Sequence, residues 1–103
     1  MMAWDNQAIA EKLQELADLL EQQAANPFRV SAYRRAARTV SGYEEPLADL
    51  AEREGIEGLD RLPGIGRSIA LAVQEMLRTG RWMQLERLRG SLDPEQVFQS
   101  IPG

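Results

Sequence analysis

The chain contains neither cysteine nor histidine. Those two gaps remove disulfide frameworks, thiolate and imidazole zinc sites, redox pairs, and every nucleophile that a histidine base would activate. Lysine is almost missing too: Lys12 stands alone beside eleven arginines. A guanidinium stays protonated at any ordinary pH, so the chain is poor in amines that could attack a carbonyl carbon. There is no run of eighteen apolar residues, and Met1-Met2-Ala3-Trp4-Asp5 lacks the basic and apolar regions of a signal peptide. The expectation is a chain without a membrane partner that stays in the cytoplasm. No segment alternates polar with β-branched or aromatic residues, so no strand is expected, and with no Asp-x-Asp pair a metal-dependent nucleotidyltransferase site has nothing to be built from.

What remains is helical periodicity. With 103 residues and 44% hydrophobic content, one compact domain is expected. Asp5 is placed to cap a helix over residues 5 to 25, in which Ile9, Leu13, Leu16 and Leu20 form one apolar stripe. Asn26-Pro27 interrupts it, and a second helix is expected from Phe28 to Ser41-Gly42, with Val30, Tyr33, Ala37 and Val40 inward and Arg34 and Arg38 on an outer face. Pro46 suits the first position of a third helix ending at Gly55, followed by a helical turn from Ile56 to Arg61. Ile69, Val73, Met76 and Leu77 mark a fourth helix that Thr79-Gly80 ends, and Trp82, Leu85 and Leu88 a short fifth ending at Gly90. Ser91-Leu92-Asp93-Pro94 starts another. The fold class expected is all-α, a bundle of about five short helices over residues 1–90, with 91–103 as a linker. Trp4 and Trp82 are assigned to the core or its edge rather than to base stacking.

The net charge of −4 argues against a polyanionic partner until its distribution is considered. Residues 28 to 43 carry four basic and no acidic groups, and residues 61 to 90 carry six basic and two acidic groups. The acidic residues concentrate in 1 to 27 and 44 to 60. Alternating blocks of this kind can build a basic face on an acidic protein, although solvated helix surface gives the same pattern.

Between two of the expected helices lies Leu62-Pro63-Gly64-Ile65-Gly66. Glycines without Cβ atoms let backbone N–H groups approach an anion closely. The helix starting near Arg67 would direct its unpaired amides and positive dipole end to the same place. Such a turn holds a phosphate without reading bases, so sequence-independent binding is the expectation. A Gly-x-Gly can also be a plain interhelical turn that needs glycine for its shape.

Taken with Ile69-Ala70 and Thr79-Gly80, this string resembles the helix-hairpin-helix of the N-terminal domain of X-family DNA polymerases. Asn26-Pro27-Phe28-Arg29-Val30 and Ala32-Tyr33-Arg34-Arg35-Ala36-Ala37 match a second family stretch, and the likeness spans roughly residues 6 to 90. It implies binding of gapped, nicked or 5′-phosphorylated DNA by a monomeric, nucleoid-associated module of a repair or replication protein. Leu62, Gly64, Ile65, Gly66, Arg67, Arg29, Tyr33 and Arg34 would be the DNA-contacting residues. No cofactor is required, but Na+ or K+ at the backbone carbonyls of Asp60, Leu62 and Ile65 is implied. A second hairpin of the form Ile-Pro-Gly-x-Gly is also implied, so Ile101-Pro102-Gly103 reads as its truncated start.

Some members of that family remove a 5′ deoxyribose phosphate through a lysine Schiff base. This chain has Ala72 at the nucleophile position, Ser68 where a phosphate-binding lysine is common, and Asp60 just before the hairpin. Lys12 lies on the acidic first helix and is a poor substitute. Binding without catalysis is therefore expected, with the lyase disfavoured and a protein-interaction module as the third reading.

Overall fold

The computed structural model describes residues 4–92, and among them it contains five α-helices and no strand. The first, α1 (Asn6–Gln22), is capped by Asp5, whose carboxylate accepts from the Ala8 amide at 2.8 Å. Ile9, Leu13, Leu16 and Leu20 are all buried, as the stripe requires. The helix ends three residues short of the expected 25. Ala24 takes a left-handed conformation (φ 57°), and the Ala25 amide donates back to the Leu20 carbonyl at 2.9 Å. Proline has no amide to lose at a helix start, so Pro27 rather than Phe28 opens α2 (Pro27–Gly42), and the Asn26 side chain accepts from the Phe28 amide.

Pro46 proves to flank α3 (Leu47–Asp60) rather than start it, and the helix is broken at Gly55 (φ 68°, ψ −158°), where the sequence places a boundary. Its cap comes from α1. The Asn6 side chain accepts from the Leu47 amide at 2.8 Å while donating to the carbonyls of Tyr43 and Glu45, at 3.2 and 2.9 Å. One amide thus serves the bare start of α3 from about forty residues away.

The fourth helix, α4 (Arg67–Thr79), closes on Gly80 in the left-handed region (φ 72°). Glu75 on α4 accepts from the Met83 amide at 2.9 Å and so caps α5 (Met83–Leu92). That last helix continues past Gly90, where the sequence suggests an end. The helix expected from Ser91 is reached only through Leu92, and the remainder of that segment, with Ile101-Pro102-Gly103, lies outside the described residues.

The core is a single cluster whose largest fully buried side chains include Ile9, Leu13, Leu16, Val40, Leu47, Leu59, Val73 and Met76. In it α1 packs on α2, α3 on α4, and α5 returns to α1. Trp82 is buried and Trp4 packs at the edge, where the Lys12 ammonium lies 5.7 Å from its ring centre. Arg89 on α5 grips Glu15 on α1 through two hydrogen bonds of 2.6 and 2.7 Å, and the Arg89 hydrogen bond holds the Glu15 carboxyl below its ordinary value.

Two outcomes follow. Leu16→Ala, which empties a fully buried site, should cost about 2–5 kcal/mol in urea unfolding. Because Glu15 is depressed on folding, its contribution is complete above the ordinary value of 4.5 and is lost as pH falls through the lower folded value. Glu15→Gln should therefore lose less thermal stability than wild type between pH 7 and pH 3; an equal loss refutes the assignment.

Candidate functional site

The turn joining α3 to α4 is held from both sides. Leu62 and Ile65 bury their side chains in the core, and the Ile65 amide closes the turn on the Leu62 carbonyl at 3.1 Å. Both residues were expected to contact DNA; with side chains inside, they can do so only through their backbones. From α2, the Thr39 hydroxyl donates to the Pro63 carbonyl at 2.7 Å.

The two glycines differ. Gly64 has φ 76°, which disfavours any side chain, and a Cβ there would lie 2.7 and 2.8 Å from Cδ and Cγ of Arg35. A side chain at Gly64 would therefore meet the arginine stem, although the glycine itself is exposed. Gly66 is extended and meets nothing within 4 Å. It stands at the start of α4 with no side-chain cap, and the amides of Arg67, Ser68 and Ile69 make no hydrogen bond among the described residues. The donor-rich end of the turn is Gly66, where the amides that follow are free.

A cavity of about 340 Å³ opens at that point, lined by Arg29, Ala32, Tyr33, Gly64, Gly66, Arg67, Ser68, Ile69 and Gln84. Five of the eight DNA-contacting residues named from sequence therefore share it: Arg29, Tyr33, Gly64, Gly66 and Arg67. Arg29 is exposed and has no ion pair among the described residues. The Tyr33 ring is buried against Trp82, with centroids 5.9 Å apart, while the residue still lines the cavity. Arg67 lies 3.5 Å from a Glu57 oxygen and 3.7 Å from one of Asp60, so the carboxylate before the hairpin is engaged by a cation.

Arg34 is not brought to this cavity. It reaches α1, 3.2 Å from Asp18 and 2.8 Å from Glu21, and its hydrogen bond lowers the Glu21 carboxyl below the usual range. A larger cavity, about 490 Å³, lies along that side between Ala24, Ala25, Val30, Arg34 and Arg38, away from the hairpin. Ala72 and Ser68 line an adjoining pocket of about 240 Å³ with Leu71, Trp82, Met83 and Arg87.

Three features escape a reading from the apolar stripe alone. Arg35 and Thr39, four residues apart, form the side of α2 that braces the hairpin; their spacing was the available signal. Phe28 precedes Arg29 with 83% of its surface exposed, and its place off the apolar stripe could have marked it.

An all-α unit whose third and fourth helices are joined by a braced Gly-x-Gly turn is a helix-hairpin-helix module. The chain belongs to the helix-hairpin-helix domain family, whose model matches residues 4–82. It is also similar to DNA polymerase lambda of Rattus norvegicus, with 29% identity over 98 residues, which cover 95% of this chain. The chain spans only 16% of the length of that relative. The relative is an X-family polymerase, in agreement with the resemblance carried by the two sequence motifs.

The contrast between the glycines is testable by urea unfolding. Gly64→Ala, strained by its φ and by Arg35, should cost about 1–3 kcal/mol. Gly66→Ala should cost under about 1 kcal/mol, the difference between glycine and alanine at a helix start. Equal costs would contradict the arrangement described.

Proposed function

We propose that this chain binds the sugar–phosphate backbone of DNA at a gap, nick or 5′ phosphate, without reading sequence, as the DNA-gripping module of a repair or replication protein. The observation that carries the reading is the convergence of Arg29, Tyr33, Gly66 and Arg67 on one cavity at the uncapped start of α4. Free amides and the positive end of a helix favour an anion there, and an unpaired guanidinium adds a fixed charge with planar donors. Helix-hairpin-helix membership and the polymerase relative support DNA as the partner. Phe28, exposed one residue before Arg29, offers a face on which an unpaired base can stack, which favours gapped over intact duplex.

A monovalent cation fits the same turn. The carbonyls of Asp60 and Ile65 accept no hydrogen bond among the described residues, and that of Leu62 retains a second lone pair. Na+ or K+ held there would add positive charge beside the phosphate. The reading assigns no Schiff-base chemistry to the site: Ala72 and Ser68 bring no amine to the pocket they line, and Lys12 is beside Glu15 and over Trp4 on α1. The monomeric state and cytoplasmic setting belong to the same proposal.

Titration of the chain against gapped, nicked and intact duplexes, with and without a 5′ phosphate, tests this. Binding should be tightest to gapped, phosphorylated DNA and fall about tenfold to a hundredfold between 50 and 200 mM salt, as expected for a few phosphate contacts. Arg29→Gln should weaken it about tenfold or more, the order expected for one charged hydrogen bond. Undetectable binding at 50 mM salt, or binding indifferent to salt, would sink the proposal in favour of a protein-interaction role.

A further inference from the structure

Among the described residues, carboxylates neutralise arginines unevenly. Arg34, Arg53, Arg61, Arg67, Arg81 and Arg89 each lie within an ion pair. On α2, Arg29, Arg35 and Arg38 have none, and all three are exposed. The second basic block, residues 61 to 90, is largely cancelled by its acidic neighbours and keeps only Arg78 and Arg87 unpaired. Of the five arginines without an ion pair among the described residues, three are on α2.

That helix is the one bracing the hairpin. Cγ and Cδ of Arg35 lie over Gly64, and its exposed guanidinium is carried just beyond them. Packing of the stem limits the rotamers the side chain can take, so less freedom is lost when the head engages a ligand. Arg38 follows three residues on, about 4.5 Å further along the axis and on the same outer surface. The only carboxylate sharing its cavity, Glu21, is already bonded to Arg34. Asp18, on the same side of α1, is bonded to Arg34 as well.

We infer that the outer surface of α2 is a second DNA contact, in which Arg35 and Arg38 hold backbone phosphates beyond the one at Gly66. The bound strand passes from the cavity over Gly64 and onto α2. This rests on the DNA-binding reading above and adds to it a direction and an extent. Both contacts are to phosphates, so they strengthen binding to every sequence alike.

Salt dependence measures the number of such contacts. Arg35→Gln keeps the Cγ and Cδ atoms that cover Gly64 while removing the charge, and Arg38→Gln removes the second. The double variant should bind gapped DNA about tenfold more weakly near 100 mM salt, with the slope of log K against log salt reduced by about two. Arg53→Gln, whose charge is already taken by Glu45, is the control and should leave the slope unchanged. Shortening the DNA flank should weaken wild type and leave the double variant little changed. A folded double variant with the wild-type slope would overturn the α2 contact while Arg29→Gln still reported on the hairpin. A wild-type chain that binds no DNA would overturn both.

Discussion

The bond from the Thr39 hydroxyl to the Pro63 carbonyl, 2.7 Å long, fixes the hairpin to α2, and the geometry of the site depends on it. A Gly-x-Gly turn left to itself is flexible, and glycine loses more freedom on ordering than any other residue. Here the turn is anchored beneath by Leu62 and Ile65 and above by Thr39 and the Arg35 stem. Gly66 is therefore held beside Arg29 and Tyr33, with which it lines one cavity. That is the preorganisation the proposed backbone contact needs if it is to cost little when formed.

The charges obey a similar division. Exposed ion pairs contribute only about 0–1 kcal/mol each, so the pairs between α1, α3, α4 and α5 do little for stability. Their larger effect is subtractive, since each removes a cation from the surface available to a polyanion. Net charge, and even the basic blocks along the sequence, misjudge the partner-facing field because pairing is decided in three dimensions. Arg61, Arg81 and Arg89 count as basic in sequence and are matched by Glu54, Glu86 and Glu15 in the fold.

Much of the fold was legible because apolar spacing and punctuation agreed. The stripes of α1 and α2 are buried as spaced, as is that of α4 except for the half-buried Leu77, and Gly55 and Gly80 break or end helices where they stand. Errors lay at boundaries, where one residue of capping decides: Ala24, Pro27, Pro46 and Gly90. Of the site, the cluster of Arg29, Tyr33, Gly66 and Arg67 was legible through its motifs. Arg34 was not, because its partners on α1 are thirteen and sixteen residues away. Nor was the Arg35 stem beside Gly64, since a glycine required by backbone angle looks the same in sequence as one required for access.

The Asn6 amide ties the entry of the hairpin's first helix to α1. It closes sequence separations of 37 to 41 residues with three hydrogen bonds, and through them α3 receives its cap from α1. The first turn of α3 thus has no partner for the Leu47 amide until α1 is in position. Since α3 leads directly into the hairpin, the element that enters the turn is tied at its start to the helix most distant from the turn in sequence.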